Sequence, residues 1–191
     1  MFPTGVDLSL HVLALSGSLR AASANTALLR AAGALAPPGL VVTLYDEVGT
    51  LPHFNPDHEL TPPPEAARFQ SLVHACDAIL IACPEYAHGV PGSLKNALDW
   101  LVGITGLENK PVALINSSPR ASHAQAALTE IVATMGWSVL EAASVRIPCA
   151  RKDIDPSALT DMPEFSEPLR AALLRLAEAA QHHVAQRFPA S

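Results

Sequence analysis

Residues 16–26 read Ser-Gly-Ser-Leu-Arg-Ala-Ala-Ser-Ala-Asn-Thr, which gathers Ser16, Ser18, Ser23, Asn25 and Thr26 around one cation, Arg20. The stretch stands between an apolar run and a run rich in Ala and Leu that favours helix. Backbone N–H groups at a helix N-terminus lack intrahelical partners and carry partial positive charge, so hydroxyls and a guanidinium beside them make a cradle for an anion, most naturally a phosphate. The same residue types also cap helices with no ligand present, Ser23 or Asn25 being the candidates here. Neither a GxxxxGK[ST] loop nor a GxGxxG fingerprint occurs, nor does GxSxG. A nucleoside triphosphatase, an ordinary dinucleotide-binding dehydrogenase and an α/β-hydrolase are therefore disfavoured.

A second stretch, residues 84–101, reads Pro-Glu-Tyr-Ala-His-Gly-Val-Pro-Gly-Ser-Leu-Lys-Asn-Ala-Leu-Asp-Trp-Leu. Pro84, Gly89, Pro91 and Gly92 fix a loop with unusual backbone angles, and Gly92 or Ser93 can open the next helix. Ordered backbone N–H groups of this kind suit edge-on hydrogen bonding to a flat heteroaromatic ligand. Glu85 has no carboxylate partner at suitable spacing, and its expected role is to orient the loop through hydrogen bonds, not to act as a general acid. His88 is read either as a contact for substrate or as a loop or interface residue. Lys95 and Asp99, four apart on the helix that follows, make a surface ion pair. Trp100 fills the core or an interface.

No metal site is expected: the histidines form no pair at ligand spacing, and His182 and His183 are adjacent on a helix and face different ways. Cys76, Cys83 and Cys149 lack CxxC spacing, which points away from a redox pair and toward a reducing cytoplasm. Cys83, at the end of an apolar run, is expected to be inert packing.

The elements that must position these loops follow from hydrophobic patterning. Short apolar runs at 10–15, 41–45, 78–83, 111–116 and 139–147 predict five strands, and helical patterns at 25–35, 64–74, 92–102, 123–135 and 167–187 fill the intervals and the C-terminus. Runs that are apolar throughout, not alternating, belong to strands buried on both faces. A β-α-β-α order then implies a parallel sheet covered by helices. Ligands of such folds bind beyond the carboxyl ends of the strands, where the strand order switches, so the loops after the first, third and fourth strands are the places to search. Residues 46–63 form a long proline-rich connection, expected to be an active-site flap or part of a subunit interface.

Composition sets bounds. With 191 residues, 49% hydrophobic and 16% charged, the chain reads as one globular domain, 1–191. A formal charge of -6 argues against nucleic acid or an anionic membrane as partner, and small molecules or protein remain. The N-terminus has no basic leader, and no apolar stretch is long enough for a membrane span.

The two motifs resemble those of the NAD(P)H-dependent FMN reductase family, which includes quinone, chromate and azo-dye reductases. Gly17, Ser18, Arg20, Ser23, Asn25 and Thr26 match its pattern G-S-x-R-x-x-S-x-N-T, and Pro84 through Trp100 match P-E-Y-N-x-x-x-P-G-x-L-K-N-A-x-D-W except at Ala87. The resemblance implies an α/β, flavodoxin-like, doubly wound five-stranded parallel sheet in the order 2-1-3-4-5, with helices on both faces. It implies FMN as cofactor and NADPH or NADH as co-substrate. Ser18, Arg20, Ser23, Asn25 and Thr26 would bind the FMN phosphate, Pro84, Glu85, Tyr86, Ala87, His88 and Gly89 would line the ring largely through backbone groups, and Ser117 and Ser118 would stand beside it. No side chain is expected to be catalytic, because the flavin carries the hard step. The implied activity passes hydride from NAD(P)H through FMN to quinone, chromate, azo or flavin acceptors by a ping-pong mechanism, in a cytoplasmic homodimer or homotetramer with the 92–102 helix at the interface.

Two departures from the family pattern stand out. Ala87 replaces its usual Asn, and Pro119 to His123 replace a glycine-rich third loop, with Arg120 a possible specificity device. Two other readings compete: a flavodoxin-like electron carrier without NAD(P)H turnover, and a flavin-poor regulatory or interaction module. Flavodoxins, however, hold phosphate with a loop rich in threonine and glycine and free of arginine.

Overall fold

Alternation hidden inside the apolar runs decides which way each strand faces. In β1 (Leu10–Ser16), Leu10, Val12 and Ala14 point to one face of the sheet and Leu13 and Leu15 to the other. The same division runs through β3 (Ala78–Ala82) and β4 (Pro111–Asn116), where Leu80, Ala82, Ala113 and Ile115 join the first set and Ile79, Ile81, Val112 and Leu114 the second. Strands with apolar residues on both faces need helices on both, and the computed structural model shows them; it describes residues 9–149 and 153–187. The one-domain expectation for 1–191 and the reading of the N-terminus rest in part on residues 1–8, 150–152 and 188–191, which lie outside the described ones.

Helices α1 (Ala24–Leu35), α5 (Pro156–Asp161) and α6 (Pro163–Arg187) pack on the first face, through side chains such as Leu28, Leu159 and Leu173. On the second face α2 (Pro64–Ala75), α3 (Gly92–Asp99) and α4 (Ser122–Thr134) bury Phe69, Leu94, Leu98 and Leu128. The sheet is parallel throughout, with β2 (Leu40–Tyr45) at one edge and the order β2-β1-β3-β4-β5. That is the predicted order. Its switch point lies between β1 and β3, which opens the carboxyl ends of β1, β3 and β4 to the loops named above.

The sheet differs from the prediction at its far edge, where the expected strand 139–147 is two segments, β5 (Ser138–Val139) and β6 (Val145–Arg146), both pairing with β4. A single 3-10 turn, Glu141–Ala143, separates them. Ser144 explains the break: its hydroxyl takes the Leu114 N–H at 3.0 Å in place of a main-chain carbonyl, and donates back to the Leu140 carbonyl at 2.8 Å. The ladder resumes where the Ile147 N–H reaches the Asn116 carbonyl.

Helix ends also moved. α3 ends at Asp99, short of 102, because the chain tightens into i→i+3 bonds at Leu101 and Val102. α6 starts at Pro163, ahead of the expected 167, and α5 was not predicted; Pro156 and Pro163 stand at first helical positions, where a proline forfeits a donor the helix does not need, while Pro168, in the second turn of α6, gives up the bond to the Glu164 carbonyl. Asp155 caps α5 by accepting the Ser157 N–H at 2.9 Å.

The long 46–63 connection is tied down. Asn96 of α3 accepts the Phe54 N–H at 2.8 Å and donates to the Pro52 carbonyl at 3.0 Å, the Trp100 indole N–H donates to the same carbonyl at 2.8 Å, and the Phe54 ring meets Trp100 edge-on at 5.1 Å. Trp100 is thus core, and it anchors this loop. Lys95 and Asp99 form the expected ion pair at 2.5 Å. Among the described residues no helix is long and apolar enough to cross a membrane.

Candidate functional site

The loop after β1 begins at Gly17, whose N–H binds the Ala82 carbonyl at the end of β3. A Cβ at this position would stand 3.0 Å from Pro84 and 3.1 Å from Leu94, so any side chain here would crowd both, and glycine lets the first loop lie flush against the second. Ser16 then ties the loop to α1: its hydroxyl pairs with that of Thr26 at 2.8 Å and accepts the Ser18 N–H at 3.2 Å. Ser23 is the N-cap, its side chain accepting the Thr26 N–H. The N–H groups of Ala24 and Asn25, first in the helix, have no intrahelical acceptor.

Asn25 is buried and turned inward, its carbonyl oxygen accepting the Ser117 N–H at 3.3 Å. That bond joins the first loop to the loop after β4. There buried Asn116 works like a peg: it accepts the Ser118 N–H at 2.8 Å and donates to the Ala121 carbonyl at 2.9 Å, while the Ser118 hydroxyl accepts the Arg120 N–H. Asn116, not glycine, shapes this third loop, and an asparagine closing an apolar strand before Ser-Ser-Pro was its sequence signal.

The loop after β3 turns sharply at Tyr86–Gly89, each bonding the other's backbone, at 3.1 and 2.9 Å. Its two central residues, Ala87 and His88, have φ of 49° and 60°. Positive φ at both centres is the mark of the type I′ hairpin turn, which favours Asn and Gly. The departure at Ala87 is therefore first a matter of backbone: an alanine occupies a position suited to asparagine.

Glu85 joins this loop to the third. One carboxylate oxygen accepts the Ala124 N–H at 2.9 Å, in the first turn of α4, whose own N-cap residue Ala121 makes no side-chain cap; the other meets His88 Nδ1 at 3.2 Å. The Ala124 N–H bond above all, with the His123 N–H and the His88 side chain, holds the Glu85 carboxyl below its ordinary range. The His88 and His123 rings meet edge-on at 4.4 Å. Burial, reinforced by the Glu85 charge, pushes the Cys83 thiol up to about 12, and it donates to the Pro84 carbonyl, so it remains an unreactive thiol at neutral pH.

The three loops enclose a cavity of about 520 Å³. Of the predicted site residues Ser18, Arg20, Ser23, Asn25, Pro84, Tyr86, Ser117 and Ser118 line it; Thr26, Glu85, Ala87, His88 and Gly89 do not. Ala22, Ala24, Pro119, Arg120, Pro148 and Cys149 complete the wall. The 148–149 contribution had no sequence signal, and it arises because the Cys149 N–H follows the Ser117 carbonyl at 2.9 Å. The volume is that of a small-molecule site. At one end stand hydroxyls, the Arg20 guanidinium and the helix start, which suit a phosphate; at the other Pro84, half-exposed Tyr86 and Pro119 offer flat apolar surface. This donor set and the flush seat at Gly17 fit an FMN-sized mononucleotide.

Comparison with known proteins agrees. The family described as NADPH-dependent FMN reductase matches residues 10–152. An NAD(P)H-dependent FMN reductase of Pseudomonas aeruginosa is 41% identical over 112 residues, covering 57% of this chain and 60% of that protein. A quinone reductase of Pseudomonas putida is 41% identical over 109 residues, 55% of this chain and 58% of its own. The match therefore spans about six-tenths of the length of these two curated relatives. Among solved structures, the flavoenzyme NAD(P)H:(acceptor) oxidoreductase of Paracoccus denitrificans superposes with a TM-score of 0.74 at 28% identity, over 91% of this chain and 98% of that one.

Proposed function

The chain belongs to the NADPH-dependent FMN reductase family, and from that premise we propose that it is an FMN-dependent NAD(P)H oxidoreductase acting on quinones. Bound FMN would supply the redox chemistry, taking hydride from the reduced pyridine nucleotide and yielding it to the acceptor. The chain's own residues bind and orient. Arg20, Ser18, Ser23 and the free N–H groups at the start of α1 hold the phosphate; Asn25 and Thr26 act behind them by fixing the loop. The backbone from Pro84 to Gly89, set by the tight turn and by Glu85, presents the ring edge with donors and acceptors, and Ser117 and Ser118 close the opposite wall. One accessible face serves donor and acceptor in turn, which makes the kinetics ping-pong. Such a face also admits chromate, azo compounds and free flavin.

The single observation that carries this reading is the convergence of the loops after β1, β3 and β4, with both family motifs, on one cavity at the switch point. Further parts of the reading are one FMN-binding domain over 1–191, a cytoplasmic location, to which the free thiols Cys76 and Cys83 are suited, and a homodimer or homotetramer. Exposed Leu60 and Val102, flanking the contact of Glu59 with Gly103, supply apolar surface for such an interface. The test is purification with excess FMN followed by spectroscopy and steady-state kinetics. A bound-flavin spectrum and NAD(P)H oxidation with benzoquinone, giving parallel double-reciprocal lines, are expected. A protein that stays colourless, or a flavoprotein that does not oxidise NAD(P)H, overturns the proposal.

A further inference from the structure

A second cavity, of about 350 Å³, opens on the other side of the first loop, between it and the chain leaving β2. Ser18 and Arg20 line both cavities, so a molecule in one borders the other. The second adds Arg30, one helical turn beyond Thr26 and on the same face of α1. Neither Arg20 nor Arg30 makes an ion pair among the described residues, where the cationic partners are Arg68, His88, Lys95 and Arg175. Asp46 is the only carboxylate in the lining. Beside it Tyr45 is buried with no partner for its hydroxyl, burial raising its pKa so that it adds no negative charge near neutral pH.

Arg30 has no anionic partner among the described residues, and Arg20, which borders both cavities, adds a second positive charge here beside the one it brings to the FMN phosphate, so an anion in this cavity is attracted by both. Their forked donors match a phosphate bidentately. The single phosphate of FMN is already accounted for by the end of the first cavity at the start of α1. Of the phosphates that remain among the reactants, the pyrophosphate is common to NADH and NADPH and carries one charge on each phosphorus, whereas the phosphomonoester on the adenosine ribose of NADPH, with a charge of about −1.5 to −2 at neutral pH, is the better match for forked guanidinium donors. We propose that Arg30, with Arg20, holds the 2′-phosphate of NADPH in this second cavity and makes NADPH the preferred hydride donor. The proposal rests on the oxidoreductase reading above.

The test pairs calorimetry with kinetics, using 2′,5′-ADP and 5′-AMP as probes on the FMN-loaded protein and on Arg30→Ala. Arg30 lies on an exposed helical position, where alanine is an excellent helix former, so the variant folds. One charge-assisted contact corresponds to roughly a 10- to 100-fold effect. The wild type is expected to bind 2′,5′-ADP tighter than 5′-AMP by about that factor, and Arg30→Ala to lose the preference. The variant's KM for NADPH should rise relative to that for NADH by the same factor, with FMN content as in the wild type. Equal binding of the two probes by the wild type overturns the proposal, as does an equal loss for both nucleotides. Loss of FMN from Arg30→Ala also overturns it, by assigning the cavity to the flavin phosphate. A chain that takes up no flavin refutes the oxidoreductase reading instead; the probe preference, measured on the unloaded chain, then decides the site separately.

Discussion

The Glu85 carboxylate accepts the Ala124 N–H at 2.9 Å across 39 residues of sequence, so the loop after β3 caps the helix that the loop after β4 feeds. The cap favours the charged carboxylate, which is why its pKa is lowered. The sign follows: the ionised form is worth more folded than unfolded, so this contribution is complete above the ordinary carboxylate value and fades as pH falls through the lowered one. Glu85→Gln should lower the melting temperature at neutral pH, and the gap to the wild type should narrow as the solution is acidified. Thermal melts between neutral pH and about pH 3 check this; a gap that stays constant would assign the effect to something other than the charge.

Ala87 and His88 both carry positive φ. A left-handed non-glycine residue costs about 1–2 kcal/mol, and asparagine bears it better than alanine. Ala87→Asn should therefore stabilise the protein by about 0.5–1 kcal/mol, a rise of roughly 1–4 °C in Tm for a chain of this length. Ala87→Val should do the reverse. Melting curves of the two variants are the check, and an Asn variant no more stable than the wild type would show that the turn has relaxed to other angles.

Arg20 and Asn25 belong to the same motif, yet predict different phenotypes. Arg20 makes no side-chain contact that supports the fold among the described residues, so Arg20→Ala should weaken FMN binding by roughly 10- to 100-fold with an unchanged Tm. Asn25 is buried and holds the Ser117 N–H, and Asn25→Ala should cost about 1–3 kcal/mol of stability along with flavin affinity. Fluorescence titration with FMN beside thermal melts of the apoprotein separates the two. Equal FMN affinity in Arg20→Ala would reject the phosphate assignment.

The contrast between Arg20 and Asn25 shows what the sequence could disclose. The strands of a parallel sheet and the loops that follow them were legible because continuous apolar runs and punctuating Gly and Pro are local signals; the strand order came from the family resemblance. The family pattern put Ser18, Arg20, Ser23 and Asn25 at the cavity. It could not tell that Asn25 also holds the Ser117 N–H or that Thr26 turns to Ser16 and away from this cavity, since these partners are fixed only when β4 packs beside β3 and β3 beside β1. The broken fifth strand was hidden for a related reason: the Ser144 hydroxyl replaces a main-chain acceptor, and nothing in the alternation of residues 139–147 marks which serine will do so. The Asn96 clasp on Phe54 spans 42 residues and likewise leaves no local trace.

That clasp makes its own prediction. Asn96 satisfies one backbone donor and one acceptor of the 46–63 connection. Asn96→Ala should destabilise by about 2 kcal/mol and loosen this segment first, because a partly buried backbone group without its partner costs about 1–3 kcal/mol. Limited proteolysis should then nick the chain within 46–63 faster than in the wild type, at temperatures well below Tm. Unchanged cleavage would mean that Trp100, which also holds the Pro52 carbonyl, suffices alone.

At the opposite end of the sheet from the cavity, Lys110 is fully buried, and its ammonium donates to the Cys76 carbonyl. Burial first, then Arg187, lowers its pKa, while Cys76 and Asp77 work the other way; buried His183 nearby is also held low, by burial and then by Lys110 and Arg187. A lysine depressed in the folded state sheds its proton more readily there than in the unfolded chain. Its penalty therefore applies fully below the depressed value and is relieved as pH climbs from there toward the ordinary one of about 10.4. Lys110→Met, similar in length and uncharged, removes the penalty and also the bond to Cys76, so its stability near neutral pH should stay close to that of the wild type. The pH slope isolates the charge. The Cys76 thiol is raised by burial and lowered by the Lys110 charge, so Lys110→Met raises it further; a raised thiol costs stability as pH climbs, and this coupling moves the comparison in the same direction. Wild type should gain on Lys110→Met as pH rises toward the ordinary lysine value of about 10.4 in denaturant titrations. Parallel pH profiles would mean that Lys110 keeps its proton throughout, its charge fully balanced by the carbonyl of Cys76 and the carboxylate of Asp77.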